Sequence, residues 1–114
     1  MSLSQHGIDT TMLESLQSLL GANFDVLLST YLNDSNKRIE RLEAALETKD
    51  FSLINEEAHG LKGSSRNIGA VDLADVCEIL ETKGREQDQD GLEQLFASVQ
   101  QKFAVLTEGL QQYR

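Results

Sequence analysis

At 114 residues the chain is expected to form one domain over 1–114, with residues 1–8 as a flexible arm and too little length for a second core. Its 19 acidic and 10 basic residues give a formal net charge of -9, which argues against a broad nucleic-acid or anionic-membrane surface and points to proteins as partners. No run approaches the roughly 18 apolar residues of a membrane span, and the first residues lack the basic flank and apolar core of a signal peptide, so a cytoplasmic protein is expected. The single cysteine, Cys77, leaves no internal disulfide and reads as a small core residue.

Proline is absent, and apolar residues recur every three or four positions, which predicts an all-α protein. Asp9 or Thr11 is placed to cap a short first helix running to about Leu20; Thr11 and Glu14 have capping-box spacing, and Gly21 can stop the helix. From Asn23 to Thr48 the residues Phe24, Leu28, Tyr31, Leu32, Ile39, Leu42 and Leu46 mark one stripe of a long amphipathic helix, with Lys37, Arg38, Glu40, Arg41 and Glu43 on its wet side. Asp50 is a plausible N-cap for a third helix in which Phe51, Ile54, Ala58, Leu61, Ser65 and Ile68 form the repeat, ended by Gly69. A fourth helix from about Val71 to Lys83 buries Leu73, Val76, Cys77 and Leu80, and "GREQDQDG" follows as a polar connection. The last helix, about Leu92 to Tyr113, aligns Leu92, Leu95, Phe96, Val99, Phe103, Leu106, Leu110 and Tyr113. The predicted fold is therefore an up-down four-helix bundle with a short additional N-terminal helix.

The third helix carries the feature that needs a reason. Gly60 and Gly63 lie inside it, and each costs roughly 0.5–1 kcal/mol relative to Ala. At 100° per residue, His59 projects about 130° from the mean direction of the apolar stripe and should face solvent. Its neighbours one turn away are Asn55, Glu56, Lys62 and Gly63, so Gly63 leaves a gap beside the ring through which a bulky partner could approach. Gly60, pointing away from His59, is better suited to close packing. Between Ala58 and Val71 the only charged residues are Lys62 and Arg66, which predicts a small cationic patch around the ring. An imidazole with an ordinary pKa near 6.5 is substantially neutral and nucleophilic at cytoplasmic pH, and a phosphoryl group fits both the ring and the patch. His6, in the expected flexible arm, is assigned no role.

The stretch Ala58-His59-Gly60-Leu61-Lys62-Gly63-Ser64-Ser65-Arg66-Asn67-Ile68-Gly69-Ala70 resembles the signature of histidine-containing phosphotransfer (HPt) domains, with every constrained position filled and Gly60 at the variable one. Length and helix order resemble the family over nearly the whole chain. The resemblance implies a four-helix bundle that shuttles phosphoryl groups between receiver-domain aspartates in a multistep phosphorelay. It makes His59 the phosphoacceptor, Lys62 its electrostatic support and Gly63 the small residue that gives the receiver access. Glu81 and Arg85 fall where the family often places a polar and then a basic residue near the imidazole. The implied partners are receiver domains of a hybrid sensor kinase and/or a response regulator, with Mg²⁺ in the receiver and no cofactor of this chain's own.

A stand-alone, monomeric carrier without kinase activity is the expected protein; the chain has no glycine-rich nucleotide loop and no G-x-x-x-x-G-K-[ST] motif. Apolar residues near His59, with Leu13, Leu16 and Leu20 of the first helix, are expected to contribute receiver affinity. The competing class is a non-phosphorylated bundle that binds a receiver or regulator as an adaptor. A metal- or haem-binding bundle has little to stand on, because the chain has 2 histidines and 1 cysteine, far apart in sequence.

Overall fold

Two aspartates begin helices as their positions predict. In a computed structural model describing residues 5–113, the Met12 amide donates to Asp9 Oδ1 at 3.2 Å and the Leu53 amide to Asp50 Oδ1 at 3.1 Å. The elements are α1 (Thr10–Leu20), α2 (Asn23–Thr48), α3 (Phe51–Asn67), α4 (Val71–Glu86) and α5 (Leu92–Gln111). Because Asp9 caps α1, Thr11 lies inside the helix and the Thr11–Glu14 capping box does not form.

Helix α2 packs on α3, α3 on α4, α4 on α5 and α5 back on α2, closing a four-helix ring, while α1 lies against α2. The 26 residues of α2 span about 39 Å at 1.5 Å per residue, which sets the 41 Å long axis of the molecule. Leu28, Leu42, Ile54, Leu61, Leu80, Val99 and Leu110 are wholly buried in the core. Cys77 joins them, with burial pushing its thiol up to about 12, which leaves it unreactive at neutral pH. Tyr31 is also buried and its hydroxyl lies 2.7 Å from Ser65 Oγ, satisfying both polar groups inside the stripe. No helix among the described residues is long and apolar enough to cross a membrane.

Three helix ends share one solution. After α3, the Ala70 amide donates to Ser65 O at 2.8 Å and the Gly69 amide to Arg66 O at 3.1 Å, a Schellman motif with Gly69 at φ +82°. The α2 and α4 ends repeat it with Lys49 and Gln87, both at φ 55°, in place of glycine. A Cβ at Gly69 would also be tight, 3.1 Å from Asp9 O. That close approach docks the N-terminus: the Asp9 amide donates to Gly69 O at 2.8 Å and Ile8 forms an antiparallel bridge with Ala70.

Four sequence expectations change here. The flexible arm expected over 1–8 is not free from Gly7 onward, because the Val71 amide donates to Gly7 O at 3.1 Å and Ile8 is buried; residues 1–4 lie outside the described residues. Helix α4 continues to Glu86, three residues past Lys83. Gly84 does not break it but lets α3 approach, since a Cβ there would meet Asn55 N at 2.6 Å and Phe51 O at 2.8 Å. Helix α5 ends at Gln111, where the Gln112 and Tyr113 amides turn back to Gly109 O and Leu110 O in a tighter i to i+3 pattern. Arg38 and Arg41, expected on the wet side of α2, reach across to Glu57 of α3.

Candidate functional site

Helix α3 starts two turns before His59 at the Asp50 cap and buries Ile54, Ala58, Leu61 and Ser65, so the opposite side must hold His59 out. The imidazole is 68% exposed. The groups around it divide by helix. On the α4 side, Nδ1 lies 2.5 Å from Glu81 Oε2, and Lys62 Nζ donates to Glu81 Oε1. One turn along α3 lies Gly63, where a Cβ would have nothing within 4 Å.

Glu81 is thus brought to the ring from 22 positions away, and it is 12% exposed. Burial pushes its carboxyl up, but the hydrogen bonds from Lys62 and His59 outweigh this and hold it below its ordinary value of 4.5. A carboxyl lowered in the folded state contributes stability that is present above the unfolded pKa and lost as pH falls through the folded one. Wild type should therefore exceed Glu81→Gln in unfolding free energy at pH 6, with the gap closing as pH falls below about 4.5. Urea denaturation of both proteins between pH 6 and pH 3 checks this, and a gap that stays constant would contradict it.

The cationic patch expected around His59 is not free. Lys62 is paired with Glu81, and Arg66 Nη2 faces Glu78 at 3.5 Å and Asp75 at 4.0 Å. Arg85 is exposed one turn beyond Glu81 and donates to Thr82 Oγ1 at 3.3 Å. Each of these bases bonds to a group on α4, so the resting charge beside the ring is close to balanced.

Other participants were not singled out from sequence. Glu57 is buried and accepts from Arg38 Nη1 at 3.2 Å and Arg41 Nε at 3.0 Å, and Arg38 lies over Gly60, where a Cβ would meet Nη1 at 2.3 Å. Gly60 therefore seats an arginine from α2, a form of the close packing expected of it. An acidic residue on the apolar side of α3, three positions after Ile54, was the available signal. Asn55 Nδ2 donates to Glu81 O at 2.7 Å and ties the turn of α4 that carries Glu81 to α3.

Next to Gly63, from Ser64 onward, the α2–α3 seam opens into a groove of about 260 Å³, lined by Leu27, Tyr31 and Asp34 of α2, by Ser64 and Asn67 of α3 and by Ile68 at its C-cap. Leu13, expected to contribute to partner contact, is wholly buried because it packs α1 onto the core, whereas Leu16 and Leu20 are half-buried. The exposed apolar residues of this part of the chain are Met12, Leu19 and Val26.

An all-α bundle holding one mid-helix imidazole out to solvent, with one ring nitrogen braced and space alongside, has the form of a histidine phosphotransfer protein. A family model for the Hpt domain matches residues 26–114. The chain belongs to this family: it is a phosphorelay protein of the histidine-phosphotransfer type, a carrier of phosphoryl groups and not a kinase. The crystal structure of histidine-containing phosphotransfer protein B from Pseudomonas aeruginosa PAO1 is similar, with 34% identity, a TM-score of 0.89, and coverage of 97% of this chain and 100% of that one. Histidine-containing phosphotransfer protein 4 of Arabidopsis thaliana is 29% identical over 104 residues, covering 89% of this chain and 82% of that protein. Pseudo histidine-containing phosphotransfer protein 2 of Oryza sativa subsp. japonica is 24% identical over 104 residues, covering 89% and 69%.

Proposed function

We propose that His59 is the phosphoacceptor and that Nε2 is the nitrogen that takes the phosphoryl group. The carrying observation is the bracing of Nδ1 by Glu81, at 2.5 Å on a ring 68% exposed, which leaves Nε2 on the outward edge. Relatives bear both the plain and the pseudo form of the family name, so the assignment rests on these residues and not on the likeness.

In this reading the donor and acceptor are aspartates of receiver domains, one in a hybrid sensor kinase and one in a response regulator. The receiver's acidic site and its Mg²⁺ supply most of the charge stabilisation, and this chain supplies a positioned nucleophile. The lone pair of Nε2 attacks phosphorus, the P–O bond to the aspartate breaks, and its electron pair leaves on the carboxylate. The partner seats over Gly63 and the α2–α3 groove, with Lys62 turning toward the phosphoryl oxygens as they arrive. The carrier works as a cytoplasmic monomer with no metal or cofactor of its own. The direct test is transfer from a phosphorylated receiver domain, with Mg²⁺ present, scored as acid-labile label on this chain.

Access makes a separate prediction. Gly63→Gln fills open space on a helix that prefers almost any residue to glycine, so unfolding free energy should hold or rise by about 0.5 kcal/mol. The side chain then stands where the partner must pass, and transfer should fall about 10²-fold through misplacement of the reacting atoms. Single-turnover transfer and urea denaturation on the same sample check both halves. Wild-type transfer by this variant would remove the access role of Gly63.

A further inference from the structure

A partner that covers His59 and fills the groove must also cover the next two turns of α3. The groove is lined by Ser64, Asn67 and Ile68, so a body seated in it spans the level of Arg66. Arg66 follows His59 by seven positions, which sets it about 10.5 Å along the helix and within about 20° of the same direction. It therefore stands inside the footprint, on the outward face beside α4.

A receiver brings an acidic site to a chain of net charge -9, so close approach needs a local cation that can change partners. Most bases near the ring are committed. Lys62 is held by Glu81, and Arg38 is shared between Asp34 at 3.1 Å and the buried Glu57 at 3.2 Å. Arg85 stands toward the start of α3, where Gly84 packs on Phe51 and Asn55, away from the groove. Arg66 is the most loosely held: Nη2 lies 3.5 Å from Glu78 and 4.0 Å from Asp75, and all three side chains are about half exposed or more. An ion pair of this kind contributes little in water and is easily exchanged.

We propose that Arg66 selects the partner: on docking it leaves Asp75 and Glu78 and pairs with a surface carboxylate of the receiver lying about 10 Å from the reacting aspartate. The proposal rests on receivers docking over His59. The planar guanidinium can grip both oxygens of a carboxylate, so a receiver with a neutral or basic residue at that place is disfavoured. Asp75 and Glu78 compete with the receiver for Arg66. Their removal and the removal of Arg66 therefore move affinity in opposite directions, whereas a residue that merely braced α3 on α4 would be weakened by either change.

The test is titration calorimetry, with Mg²⁺ present, against a panel of receiver domains, of which the tightest binder to wild type is kept. Arg66→Ala should bind it about tenfold more weakly, a loss that shrinks as salt is raised. The double variant Asp75→Asn, Glu78→Gln should bind about two- to fivefold more tightly. When the receiver's surface aspartates and glutamates are changed singly to the amides, one of them should weaken binding to wild type about tenfold and leave binding to Arg66→Ala unchanged. Equal affinity of wild type and Arg66→Ala, weaker binding by the double variant, or no receiver acid that couples to Arg66 would overturn the proposal. The acceptor assignment is read separately, as label taken by wild type from phosphoramidate. A chain that takes no label yet binds through Arg66 would sink the acceptor and leave this contact standing, and a labelled chain indifferent to Arg66→Ala would do the reverse. A wild type that binds no receiver would overturn the receiver reading and this proposal together.

Discussion

Replacing His59 by Gln should abolish acid-labile phosphoryl incorporation while leaving the fold intact. The ring is 68% exposed and contributes no core packing, and its polar contact is with Glu81, to which a Gln amide can still donate. The unfolding free energy should stay within about 1 kcal/mol of wild type, the scale of one solvent-accessible hydrogen bond. Transfer has no such substitute, because an amide nitrogen offers no lone pair for attack on phosphorus. Incubation of both proteins with a phosphorylated receiver and Mg²⁺, followed by acid and base treatment of the label, separates phosphohistidine from acyl phosphate. Equal labelling of wild type and variant would remove His59 from the relay. An unlabelled wild type that still binds receivers would favour the adaptor.

The largest stability effect is expected at Gly84. A Cβ there would lie 2.6 Å from Asn55 N and 2.8 Å from Phe51 O, and both are backbone atoms that cannot swing aside. Overpacking of this kind costs about 1–3 kcal/mol, against a helix-propensity gain of about 1 kcal/mol for Ala over Gly. Gly84→Ala should therefore lose up to about 2 kcal/mol, and Gly84→Leu more. Separation of α3 from α4 would also loosen the 2.7 Å bond from Asn55 to Glu81 O, so His59 should lose part of its bracing. Gly63→Ala, into open space, should instead gain about 0.5–1 kcal/mol. Urea denaturation of the pair is the check, and a Gly84→Ala protein as stable as wild type would refute the close-packing role.

These glycines show what local sequence reasoning reaches. Gly60, Gly63 and Gly84 carry the same entropic cost in a helix and look alike by propensity. The open space at Gly63 could be anticipated because it lies beside His59 on the same helix, where 100° per residue fixes direction. Gly84 falls in the expected polar connection after Lys83 because its reason lies on another helix, at Phe51 and Asn55.

The charged residues divide in the same way. Lys62 and Arg66 were placed near His59 by spacing along α3, but their partners Glu81, Asp75 and Glu78 come from α4 and change what the patch is. Glu57 drew no attention because its partners, Arg38 and Arg41, belong to α2.

The sequence by itself determined the all-α class, the Asp9 and Asp50 caps, the buried stripes and the outward direction of His59. Each follows from interactions within a few residues along one chain, where helical geometry is known in advance. Only the tertiary structure decided that Glu81 meets Nδ1, that Lys62 answers to Glu81, that Gly60 seats Arg38 and that Gly7 and Ile8 are docked rather than free. Those contacts depend on how far one helix slides and turns against the next, a matter of side-chain volume across the whole core that no single segment encodes.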